Sequence, residues 1–157
     1  MFLYSLLALA VVTALIFAAP LKAKVWATLA VVAAGALWAS ATAVGVLAGG
    51  HTVRLWATDV FLFGSDAGSM DPLSALFALI VSVGAVAAVL YSRGYLAHYL
   101  GRKSPTHISL HYTALATMFY AMLGVVTSEG GFSFLFFWEL MTVASFLLIL
   151  FDAEPVS

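Results

Sequence analysis

Phe132 to Phe151 reads FSFLFFWELMTVASFLLILF, an apolar run broken by a single ionisable residue, Glu139. The run is long enough to cross a bilayer as a helix, and at roughly 1.5 Å rise per residue the carboxyl lies about 11 Å below its start. A mid-membrane acid costs about 2.5 to 3.5 kcal/mol on insertion scales, while each Phe or Leu returns about 0.3 to 0.6 kcal/mol. The run therefore inserts with its acid in place. What the acid does there is the functional question.

The composition around it agrees. Of 157 residues, 64% are hydrophobic and 8% charged, and the mean hydropathy is +1.12. A water-soluble domain sits nearer half apolar and a quarter charged, so this is an integral membrane protein. The net charge of −1 and the lack of a basic patch give no sign of nucleic-acid binding. With no Cys there are no disulfides, thiolate metal sites or redox thiols. The four His residues include no pair with strong metal-ligand spacing, so no metal site and no cofactor are expected.

Five segments have bilayer length: Phe2 to Ala19, Val25 to Ala48, Pro72 to Tyr91, Ile108 to Thr127, and the opening stretch. The expected class is all-α and membrane-integral, with five transmembrane helices. The first segment has no positive residue before its apolar core, while Lys22 and Lys24 follow it. That order predicts a retained helix with the N-terminus outside, not a cleaved signal. Lys22, Lys24, Arg93, Arg102 and Lys103 fall on one side, against Arg54 alone on the other, which also carries Asp59, Asp66, Asp71 and Glu129. The positive-inside rule makes the Lys-rich side cytoplasmic.

The longest connection, Gly49 to Asp71, has β-branched and aromatic stretches at Thr52 to Ala57 and Val60 to Phe63, so a short outer-face β-hairpin is expected. Asp71-Pro72 reads as a capped helix start. Small residues recur every four positions at Ala41, Gly45 and Gly49 and at Ser74, Ala78 and Ser82, a spacing that lets helices pack closely in lipid. In the fourth segment Ser109, Thr113, Thr117, Tyr120, Gly124 and Thr127 line one side. Interhelical hydrogen bonding and one wall of a hydrated proton path both fit that stripe. His107 and His111, four residues apart, suit snorkelling or proton uptake better than a metal. His98, Trp26, Trp56, Tyr91, Tyr95 and Tyr99 read as interfacial.

Glu139 itself has three readings: a neutral packing device, a cation ligand, or a proton shuttle. Desolvation raises a carboxyl pKa and a nearby cation lowers it, so such a group can be poised near the working pH. None of the first four segments holds Asp, Glu, Lys or Arg, so any cationic partner must come from elsewhere.

DPLSALFALIVSVGAVAAVLYSRGYLAHY (71–99) and FLFFWELMTVASFLLILFD (134–152) together resemble the antiporter-like membrane subunit family. That family comprises the pumping subunits of respiratory complex I, the Mrp Na⁺/H⁺ antiporter subunits, and the membrane subunits of group 4 hydrogenases and formate hydrogenlyase. The first stretch is similar to its third helix. The second is similar to its fifth, where the Trp-Glu-Leu-Met segment holds the family's membrane glutamate, here Glu139. The resemblance implies a fold with two inverted repeats, each forming a half-channel. Residues 1–157 would be one membrane domain, with 1–106 as three leading helices and their loop and 107–157 as the first two helices of the first repeat. In the family this Glu pairs with a Lys on a broken seventh helix, which lies beyond Ser157, so the chain is expected to be a fragment or to be completed by a downstream polypeptide.

The implied function is a proton-translocating subunit of a redox-driven pump or of a multisubunit cation/proton antiporter. Glu139, expected to be buried, would be the proton relay, and Thr113, Thr117, Tyr120 and His111 its candidate path. The alternative is a non-transporting scaffold or assembly subunit. In an oxidoreductase complex of the NADH–quinone or hydrogenase type, it would carry no redox centre of its own. The implied partners are the lipid bilayer, other membrane subunits, and protons or Na⁺, in a prokaryotic plasma or inner membrane.

Overall fold

The structure is a computed structural model that describes residues 11, 14–20, 23–60, 64–99 and 103–153. Helical turns at residues 14–18 (α1) end the first apolar segment; the rest of that segment lies largely outside the described residues. There follow α2 (Lys24–Gly49), β1 (Val53–Val60), β2 (Gly64–Met70), α3 (Pro72–Ala97), α4 (Pro105–Thr127) and α5 (Gly131–Ala153). The four long helices are each long and apolar enough to span a membrane.

Each helix begins and stops for a local reason. The α2 helix ends at Gly50, whose φ of 63° suits glycine and whose N–H returns to the Val46 carbonyl at 2.8 Å. At the start of α3, Asp71 accepts from the Ser74 N–H at 2.7 Å with Pro72 in the first turn, as the sequence predicts. Ser104 and Pro105 do the same for α4, which begins three residues before the expected Ile108. The α3 helix runs past the expected Tyr91 to Ala97, so Arg93 is a helical residue. Its guanidinium carbon lies 5.4 Å from the Trp26 ring centroid.

Small side chains set the packing. Val32, Ala36, Ala39, Ala43 and Val46 of α2 are buried, as are Ala75, Ala78, Ser82 and Val89 of α3. Short side chains let the backbones approach where no hydrophobic force separates protein from lipid. The Ser74–Ala78–Ser82 repeat thus carries packing at its lower two positions. Ala41 and Gly45 face outward, because the buried edge of α2 runs through Ala39 and Ala43 instead.

The expected hairpin is present and antiparallel, from Val53↔Met70 to Val60↔Gly64, with a register irregularity between Arg54 and Trp56. Its second strand is Gly64–Met70; of the expected Val60–Phe63 stretch, Val60 ends β1 and residues 61–63 lie outside the described residues. Trp56, expected at the interface, lies where it would meet any Cβ on Gly68, so the glycine makes room for the indole. The hairpin then docks on the α4–α5 connection. Gly68 bridges to Ser128, and the Glu129 N–H donates to the Ala67 carbonyl at 2.9 Å.

Candidate functional site

The site is built on α5, whose two sides differ. One side packs on α4 through Ser133, Ala144 and Phe151, which are buried, and through Phe137, whose ring lies over Gly124. Glu139 is two residues from Phe137, about 200° around the helix. It falls on the opposite side, exposed among Leu135, Thr142, Val143 and Phe146.

The sequence reading expected a buried glutamate. Among the described residues no helix covers it, because the only helix packed along α5 lies on the other side. Thr142 and Ser145 donate to the Trp138 and Thr142 carbonyls at 3.0 and 2.9 Å, so their hydroxyls serve α5 itself.

The candidate path residues stand apart from Glu139. The Tyr120 hydroxyl donates to the Val31 carbonyl of α2 at 2.8 Å, over Gly35, where a Cβ would come within 2.6 Å of that oxygen. Ser109 and Thr127 donate to carbonyls of their own helix, both at 2.8 Å. The Thr113 hydroxyl is buried without a hydrogen-bond partner among the described residues, and Thr117 is half-buried. His111 is buried near the other end of α5, its ring 4.8 Å from that of Phe151 and 6.1 Å from that of Tyr95. Its Nδ1 has no partner among the described residues. At Tyr120 the stripe is therefore an interhelical bond, and Thr113 and His111 are buried away from the Glu139 face. His107 lies beside the Ser104 hydroxyl at the start of α4, at 3.1 Å.

Three charged residues do work that the sequence did not announce. Asp66 is 5% exposed and caps α5 across 67 residues, accepting from the Ser133 N–H at 2.9 Å and the Ser133 hydroxyl at 3.0 Å. Lys24 donates to the Ile16 and Phe17 carbonyls at 2.9 and 2.8 Å, closing the end of α1. Lys103 donates to the Phe151 carbonyl near the end of α5, with its ammonium 4.3 Å from the Phe151 ring centroid. A Lys just after a helix marks Lys24, and a Ser in the first turn of a helix without a capping side chain before it marks Asp66's partner Ser133; nothing local marks Lys103, 48 residues before Phe151.

At the hairpin end the remaining acids border two polar clefts. One, of about 460 Å³, is lined by Arg54, Asp59, Ser65, Asp66 and Glu129; the other, of about 340 Å³, by Thr52, Ser69, Asp71, Ser74 and Glu129. The Ser74 N–H and hydroxyl beside Asp71 hold its carboxyl below the usual carboxylate range. Among the described residues, no three His, Asp or Glu side chains stand close enough to hold a metal.

No family model matches the chain. Over 82 residues, 52% of its length, it is 35% identical to a Staphylococcus saprophyticus protein that bears the name of an antiporter subunit, mnhA2. A Staphylococcus aureus protein of the same name is 36% identical over 80 residues, 51% of the chain. The chain spans about a tenth of the length of these curated relatives, the aligned part covering 10% of the first and 9% of the second. The relatives support the resemblance to antiporter-like membrane subunits, on the Mrp side of that family. With four apolar spans among the described residues, the chain is a multi-pass plasma-membrane protein.

Proposed function

We propose that this chain is a membrane subunit of a multisubunit cation/proton antiporter in which Glu139 relays protons. The observation that carries the reading is the placement of Glu139, an acid in the middle of a span, on the α5 face that no described helix covers. Left against lipid, such a carboxyl costs about 2.5 to 3.5 kcal/mol, so the face calls for a covering protein surface or water. A covering helix that brings a cation would offset this cost and alter the carboxyl's proton affinity as the pair opens and closes. Its partners would then be the other membrane subunits, with protons and Na⁺ or a similar cation as the transported species. The names of the staphylococcal relatives favour this over a redox-driven pump. In this reading residues 1–106 are the leading helices and 107–157 open the first half-channel repeat.

The test is Glu139→Gln in the assembled complex. Cation-driven proton flux in inverted vesicles should fall about 10²- to 10⁴-fold, the scale of losing one proton-transfer group, while the complex assembles normally. Full flux would sink the relay.

A second reading has its own observation. The α5 face around Glu139 and the outer sides of α2 and α3 are broad and apolar, as a docking scaffold requires. If the chain only scaffolds, deleting it dismantles the complex and Glu139→Gln changes nothing.

A further inference from the structure

Of the four long helices, α5 is the least held by its neighbours. Its partner helix α4 covers one side, and most of the rest is exposed. The position that would cap its first turn is Gly130, which has no side chain, and the helix opens on Gly131. The first N–H groups of any helix lack internal partners, and at a membrane end this deficit is costly. Here the partner is Asp66, brought in by the hairpin. One carboxylate oxygen takes the Ser133 N–H, and the other takes the Ser133 hydroxyl and the Ala67 N–H at 3.0 Å. The fit leaves no slack: a Cβ on Gly130 would stand 1.8 Å from an Asp66 oxygen. Glu129 and Ser128 tie the same turn to β2.

We propose that Asp66 is a positioning residue for Glu139: by clamping Ser133 it fixes the depth and rotation of α5. Glu139 lies six residues further on, about 9 Å along the axis. This rests on the relay reading given above. A displacement of about 1 Å in a reacting group can cost about a hundred-fold in rate, so a clamp that removes axial slack bears directly on proton transfer. It ties the membrane carboxyl to the outer hairpin instead of to the short loop before its own helix.

The experiment uses the full complex, compared per assembled copy. Asp66→Ala should lower the maximal flux about ten-fold and leave the KM for the cation unchanged. Asp66→Asn, which keeps an acceptor for the Ser133 N–H and is as good a cap, should restore most of the rate. The chain has no cysteine, so Leu135→Cys, one turn above Glu139 on the exposed face, reports depth through its reaction with a water-soluble maleimide. Its labelling rate should change in Asp66→Ala and not in Asp66→Asn. Wild-type flux and labelling in Asp66→Ala would overturn the proposal and leave the relay reading standing. Altered labelling together with full flux in Glu139→Gln would uphold the clamp and overturn the relay.

Discussion

A carboxylate at the end of a membrane helix and one within it face opposite problems, and this chain holds both. Asp66 and Asp71 sit where unpaired N–H groups need an acceptor, and the helix dipole favours their charge. Glu139, within the span, faces outward, away from the helix that packs on α5 among the described residues. The difference predicts different responses to change. Gly130→Ala forces a methyl into the Asp66 carboxylate, 1.8 Å away. It should cost about 1 to 3 kcal/mol, read as a lower unfolding temperature in detergent, and a wild-type melting curve would mean the clamp is slack. Asp71 carries a pH signature. Its folded carboxyl is held below the ordinary range by the Ser74 donors, so its stabilisation is complete above the unfolded pKa of about 3.9 and disappears as the pH falls through the lower folded value. The stability gap between wild type and Asp71→Ala, about 1 kcal/mol, should hold from pH 7 to pH 5 and close below about pH 4. A gap constant down to pH 2 would remove the carboxylate from the explanation.

Among the helices, existence was legible in the sequence and orientation about the axis was not. Length and apolarity place the four described spans within three residues at every end except that of α3, which runs six residues further, since insertion depends on summed hydrophobicity. Lipid is as apolar as a packed helix, so a buried Ala39 and an exposed Ala41 leave the same trace. For that reason the Ala41–Gly45–Gly49 repeat pointed to the wrong side of α2. Likewise the polar side of α4 was visible, but its partners were not. Tyr120 is resolved by its bond to Val31, a contact across 89 residues that no local pattern encodes. Tyr120→Phe tests the two readings of that stripe. As an interhelical bond the hydroxyl is worth about 0.6 kcal/mol, the average in membrane bundles, and its loss should lower stability slightly with flux unchanged. A proton-path role predicts a flux defect at normal stability. The geometry favours the first outcome.

At the scale of the whole molecule, the charges that set topology also finish the helices. Successive long helices alternate in direction, so α3 and α5 end on the side where Lys24 and Lys103 lie, as does α1, and α3 and α5 begin on the side of the hairpin. Lys24 closes α1 and Lys103 closes α5, while Asp71 opens α3 and Asp66 opens α5. Cations at carboxyl ends and anions at amino ends complement the helix dipoles. The same division appears in the sequence as the five-to-one excess of Lys and Arg in and beside the connections opposite the hairpin. End-capping is satisfied whichever side faces the cytoplasm, so the positive-inside rule alone predicts the orientation, with Lys24 and Lys103 in the cytoplasm and the hairpin outside. Single cysteines can check this directly in a chain that has none. Ser65→Cys, exposed in β2, should react with an impermeant maleimide in intact cells, and Thr106→Cys, exposed at the start of α4, only after the membrane is opened. The reverse pattern would invert the molecule, put its lysines outside against the rule, and turn the Asp66 end of the Glu139 helix toward the cytoplasm.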